Sequence, residues 1–321
     1  MKTYTPWRVQ DSRIVVARDL IFRAPMKWEG RVKIECDLFG DEGPVYDIDG
    51  DPLHHGKPWG RAQEYIGVAD MHIGKSRVKI HDLRRRVFSI IDNSQATFMA
   101  ITKEPGRVRE NWPKVGFPES GVPGTLGRFL DVPNLHLFAE AHNQATVDAR
   151  VPDLLKCRDL SPSIGVWFKG LSEEVRLDRI RYPIDQYGGC HNRNALAGYG
   201  GWDRPRWEYK LDLVVIEGTD QPLNPNHVRS LISQCEAAGV RPVFLGWGDH
   251  IPFNQITNNE QRELWSKAVM AGKQSYFGYR TAVGPQGLKT STTPGIEPVS
   301  YAEIGRESAG RMIDGREWGW E

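Results

Sequence analysis

Short apolar runs alternate with amphipathic stretches along this chain, and the alternation predicts parallel strands joined by crossover helices. The candidate strands are 31–36, 97–102, 135–140, 164–169, 211–217 and 242–245. The intervening stretches predict helices over 83–93, 144–157, 172–178, 227–238 and 259–271, with a last helix over 301–313. Leu83, Val87, Ile90 and Ile91 recur at helical spacing, as do Val147, Val151, Leu154 and Leu155. Asn224 and Pro225 supply a cap and a first-turn proline for the fourth helix, and Gly239 supplies its stop. The fold class expected is α/β, an incomplete parallel (β/α) barrel of about six strands.

Three stretches break the rhythm. Residues 39–76 are rich in Gly, Asp, His and Pro, 182–209 in Gly and aromatics, and 276–299 in Gly, Thr and Pro. Loops of this length are commonly functional. Neither a repeat nor an interdomain linker stands out, so 1–321 reads as a single domain with three long loops. A barrel short of strands has open edges, and an open edge invites pairing. The segment 13–17, with Ile14, Val15 and Val16 between arginines, is expected to cap the edge beside 31–36.

With 42 Lys and Arg against 41 Asp and Glu, the net charge is +1. No overall field therefore favours nucleic acid or an anionic membrane. No apolar run approaches the roughly 18–20 residues of a membrane span, and the first residues lack a signal peptide's apolar core. Cys36, Cys157, Cys190 and Cys235 lie far apart. With no secretion signal, that spacing suggests reduced thiols and a cytoplasmic setting.

The C-terminal third carries a resemblance. Leu211 to Gly218 reads as a buried strand entering a loop, Asn224 to Val240 as a capped helix, and Pro242 to Leu245 as a strand entering Gly246-Trp247-Gly248-Asp249. Ala309 to Trp318 closes the pattern. This order resembles the phage gp-thirty-seven-like family, proteins of radical S-adenosylmethionine (SAM) type. More weakly, Leu20 to Trp28 followed by Arg31 to Phe39 resembles the family's second strand. Family members open with three close cysteines, the last two as C-x-x-C, and no such run is present in this sequence. Other positions depart too: His142-Asn143-Gln144, Phe168-Lys169-Gly170 and Glu217-Gly218-Thr219 replace acid-containing family motifs, while Thr102-Lys103 and Trp247-Gly248 are kept. The resemblance implies a cytoplasmic protein of an infected or prophage-bearing bacterium.

In parallel barrels ligands sit at the C-terminal strand ends. Those ends supply Asp37, Thr102, Lys103, Glu140, His142, Asn143, Lys169, Glu217, Trp247 and Asp249 as candidate ligand-binding residues. The mixture of acids, cations, amides and an indole suits a small polar molecule or nucleotide. No metal site is assigned: Asp49, Asp51, His54, His55, Asp70 and His72 share a loop but lack ligand spacing. A 4Fe–4S cluster needs thiolates at close quarters, whereas Cys157 and Cys235 fall within candidate helices. Nucleophile-elbow, phosphate-loop and dinucleotide motifs are missing. Arg84-Arg85-Arg86 reads as the solvated face of a helix, and Trp202, Arg204, Arg206 and Trp207 as a plug over the mouth. The expected function is a radical-SAM-like phage protein without its own cluster motif, serving as a binding or accessory protein. Alternatively, it is the larger part of a split enzyme. SAM and a 4Fe–4S cluster would then act only if a partner polypeptide supplied the cluster segment. Cluster-free acid–base work by Glu140, His142 or Glu217 is a third reading.

Overall fold

A computed structural model describes residues 1–17, 29–46, 52, 78–115, 128–183, 190–198, 209–277, 279–284, 287–292 and 298–320. The fold is α/β, with a seven-stranded parallel sheet and flanking helices, the content of an incomplete parallel (β/α) barrel. Chain contacts divide it into two compact units, Met1–Ala139 with Arg150–Gly165, and Glu140–Ala149 with Val166–Glu321. Among the described residues no helix is long and apolar enough to cross a membrane.

In the first unit, β1 (Lys2–Tyr4) pairs parallel with β4 (Arg31–Ile34), which pairs with β6 (Thr97–Thr102), which in turn pairs with β9 (Leu135–Ala141). β6 and β9 are largely apolar runs because a parallel sheet is covered on both faces: Phe98, Leu135 and Leu137 are fully buried, as is Val32 of β4. β1 is a strand beyond the six expected. It also corrects the expected cap, since Lys2–Tyr4, not 13–17, lines the edge of β4. Asp11 and Ser12 take left-handed backbone (φ 47° and 60°), which folds β2 (Trp7–Gln10) back on β3 (Arg13–Val16) as a tight hairpin. β3 pairs further with β5 (Val45–Tyr46). Helix α1 (Ile80–Asp92) turns Leu83, Val87, Phe88 and Ile91 inward. The one-turn helix α2 (Val108–Asn111) and the hairpin of β7 (Lys114–Val115) with β8 (Arg128–Phe129) complete the unit.

The arginine run of α1, expected as a solvated face, is not wholly solvated: Arg84 is only 2 % exposed. Its Nε donates to Leu38 O at 2.7 Å, Nη1 to Asn111 Oδ1 at 2.8 Å and Nη2 to Asp41 O at 2.7 Å. The guanidinium fork thus matches the inward carbonyls of the loop after β4. Beside it Phe39 stacks on Trp112, with ring centroids 5.8 Å apart.

The second unit takes up the C-terminal part of β10 (Ile164–Lys169), then β11 (Ile180–Pro183) and β12 (Cys190–Arg193), an antiparallel pair. β13 (Leu213–Glu217) and β14 (Arg241–Gly246) pair in parallel. Between them α4 (Pro225–Ala238) starts at Asn224, whose side chain accepts from Asn226 N, and ends at Gly239 with φ 62°. Helix α3 (Gln144–Leu155) begins in this unit. β15 (His250–Pro252), α5 (Asn259–Met270) and β16 (Gln274–Phe277) follow, with the hairpin of β17 (Tyr279–Gly284) and β18 (Gly287–Thr292). That hairpin lies in the stretch 276–299, expected as a long loop.

Two expected helices are absent. Over 172–178 the chain is a loop ending in a single 3-10 turn, Leu177–Arg179. Glu173 and Glu174 are engaged by Gln144 N and Ser230 Oγ, at 2.8 and 2.9 Å, contacts that hold the segment open. Over 301–313 the structure has the end of β19 (Val299–Glu303), the one-turn helix α6 (Arg306–Ala309) and β20 (Met312–Ile313), which pairs with β21 (Arg316–Glu317) just beyond. Gly305 (φ 85°) and Gly310 (φ 81°) break any continuous helix, and β19 is the middle strand between β15 and β16.

The β20–β21 turn is clamped by Arg229, whose Nε and Nη2 each reach Asp314 at 2.7 Å. Asp314 N also donates to Gln255 Oε1. The Arg229 hydrogen bonds hold the Asp314 carboxyl below the usual carboxylate range. Its contribution to stability is therefore present above the unfolded value of about 4 and is lost as pH falls through the lower folded value. Melting temperatures measured across this acid range should fall for the wild type through protonation of this pair. Arg229→Ala should start lower at neutral pH and lose that part of the acid dependence, by a modest amount because the pair is half exposed.

Candidate functional site

The loops after β10, β13 and β14 interlock within the second unit. Gly170 N donates to Glu217 O at 2.8 Å, Gly218 N to Gly246 O at 2.9 Å and Asp249 N to Thr219 O at 2.9 Å. Gly218 lies against the Trp247–Gly248 peptide so closely that a Cβ would overlap it. The register shift between Ile216 and Glu217 sits at the same place. Three strand ends, and with them Lys169, Glu217 and Asp249, are thereby brought to one edge.

Glu217 is the central side chain. Only 14 % exposed, its Oε2 accepts from the buried Trp167 indole at 2.7 Å. Its Oε1 stands 3.7 Å from the Arg306 guanidinium, which is 4.0 Å from Asp249 Oδ1. Lys169, at the end of β10, is exposed. The His142 carbonyl accepts both Ser172 N and Oγ, which ties the loop after β9 to the loop after β10, and the His142 ring is exposed. Glu140 is half-buried near the end of β9. Asn143 caps the start of α3, where its Oδ1 accepts from Thr146 N and Oγ1. Trp247 is fully buried, and its indole donates to Met312 O, so it packs the core beside Phe244 and does not face a ligand.

The first unit holds the remaining candidates. Asp37 Oδ1 accepts from Phe39 N and Gly40 N, and Oδ2 from Lys103 N at 2.8 Å. This carboxylate ties the loop after β4 to the loop after β6, leaving little of it for a ligand. Thr102 is fully buried, and its Oγ1 accepts from Glu104 N. Lys103 is exposed.

Cys36, Cys157 and Cys235 are buried. Burial pushes the Cys157 and Cys235 thiols up to about 12 and raises Cys36 well above its ordinary value, with Asp41 and Asp37 adding to it. Such thiols are packing groups in their neutral form. Among the described residues no group of three or more His, Cys, Asp or Glu is placed to hold a metal ion. The segment 20–28 of the resemblance, the loop acids and histidines at 49, 51, 54, 55, 70 and 72, and the aromatic–basic group at 202–207 lie outside the described residues.

Two residues of the site, Trp167 and Arg306, are not at positions that strand-end reasoning reaches. Trp167 reads as one more apolar residue of a buried strand. Arg306 sits in the stretch taken for a helix, where only the flanking glycines hinted at a turn.

An α/β protein with a parallel sheet and a polar group at its strand ends is the class these observations define. The family model of DUF5131, a protein family of unknown function, matches residues 47–320, and the chain belongs to that family. No curated protein and no solved structure matches the chain.

Proposed function

We propose that this chain is a radical-SAM-like phage protein that binds a small polar molecule or nucleotide at the strand ends of its second unit, as an accessory protein without a cluster of its own. The observation that carries the reading is Glu217: a carboxylate mostly withdrawn from water, oriented by a buried indole N–H, at the strand-end position where parallel folds bind ligands. A carboxylate fixed there is suited to accept the hydroxyls of a ribose, as acidic residues do in dinucleotide sites. The buried, neutral thiols at 36, 157 and 235 support the cluster-free part of the reading.

The test is calorimetric titration of nucleosides and nucleotides into protein purified in air. Binding is expected without iron or sulfide, and Glu217→Gln should weaken it at least about tenfold, the scale of one hydrogen bond to a charged group. Anaerobic reconstitution is expected to leave the protein colourless. A brown 4Fe–4S protein that binds only after reconstitution would overturn the reading.

A further inference from the structure

We infer that Arg306 takes an oxyanion, a phosphate or carboxylate, of the molecule bound beside Glu217. The inference deepens the reading above and rests on it for the identity of the site.

The backbone around Arg306 is anchored while its side chain is not. Ile304 N and Gly305 N both donate to Asp249 O, at 3.0 and 3.2 Å, which fixes the loop to the end of β14. Ser308 N and Ala309 N close the next turn onto Gly305 O. Yet the Arg306 side chain is 58 % exposed. Its approaches to Glu217 and Asp249, 3.7 and 4.0 Å, are too long for hydrogen bonds. The two acids hold the guanidinium over the site by charge without consuming its N–H donors.

Two other arginines of this unit are committed. Arg229 grips Asp314 with two bonds of 2.7 Å, and Arg176 grips Asp178 at 2.9 and 2.8 Å. A planar fork with donors in hand is the side chain that phosphate and carboxylate groups match. Lys169, exposed on the adjoining strand end, adds a second positive charge near that edge. Glu217 then faces the neutral, hydroxyl-bearing part of the ligand and Arg306 its charged part. A cationic guest for the two acids is the opposite arrangement, in which Arg306 would be a placeholder to be displaced.

The experiment compares wild type, Arg306→Ala, Arg306→Lys and Glu217→Gln in titrations with pyrophosphate, with agmatine as the cationic probe and with nucleosides. Arg306 is exposed, and unchanged circular dichroism and melting temperature verify that its variants fold. Pyrophosphate binding should weaken at least about tenfold in Arg306→Ala, be intermediate in Arg306→Lys, and hold or tighten in Glu217→Gln, which removes a repelling charge. Pyrophosphate binding indifferent to Arg306, or agmatine binding tightened by Arg306→Ala, would overturn the inference. In either case, nucleoside binding that still depends on Glu217 would leave the broader reading standing. Arg306-dependent pyrophosphate binding with no nucleoside or nucleotide binding would do the reverse. No binding of any probe overturns both.

Discussion

Arg84→Met is expected to destabilise the first unit by about 3–5 kcal/mol, the range for removing one partner of a buried charged network. The guanidinium satisfies Leu38 O and Asp41 O at 2.7 Å each and reaches Phe39 O and Glu42 Oε1 at 3.4 and 3.3 Å. Methionine fills much of the stem's volume but leaves inward carbonyls without donors. The loss should reach beyond α1, because the loop it holds carries Asp37, whose carboxylate receives Lys103 N. Arg84→Lys keeps the charge yet offers a point donor in place of a fork, so it should recover only part of the stability. Urea unfolding of the three proteins checks this; a loss below about 1 kcal/mol for Arg84→Met would show that the carbonyls find other partners.

Gly218→Ala is expected to cost about 3 kcal/mol or more, at the upper end of overpacking penalties, because the obstacle is backbone and cannot rotate away. The added methyl would overlap the Trp247–Gly248 peptide. Relief would require breaking the bonds from Gly218 N to Gly246 O and from Asp249 N to Thr219 O. Gly239→Ala is the matched control: its φ is 62°, but nothing lies within 4 Å of the new Cβ. Only the left-handed backbone penalty of about 1–2 kcal/mol should appear there. Denaturation midpoints that rank the two variants the other way would contradict the close approach of the two loops. The binding proposed for Glu217 should be lost in Gly218→Ala, since the same peptides set the spacing of the strand ends.

The central strands were legible because a strand covered on both faces must be apolar throughout. The stretches 97–102 and 164–169 appear in the structure with those bounds, and α4 has its cap, proline and glycine where its composition puts them. β1 was not legible, since Lys-Thr-Tyr is too short and polar to register as a run, and its role comes from the parallel partner it finds in β4. The stretch 301–313 has scattered apolar residues that serve a helix or a strand, and Gly305 and Gly310 decide between them. Side-chain pairing was harder still. Arg84 looks like its neighbours in the arginine run, and only the tertiary position of the loop after β4 distinguishes it. The strand-end rule gathered Glu217, Lys169 and Asp249, which the fold brings to one edge, but also Thr102, Trp247 and Asn143, which the fold uses for packing and capping.

The indole of Trp167 makes the site observable without a label on the ligand. The chain has 11 tryptophans, each with one ring N–H. The Trp167 N–H bonds to the carboxylate around which the site is built, at 2.7 Å. In a proton–nitrogen correlation spectrum, a short bond to a carboxylate moves such a signal downfield from the cluster of ordinary indoles. A guest that draws on Glu217 would shift that one resonance ahead of the others, so a single cross-peak, assigned by Trp167→Phe, would report occupancy of the proposed site.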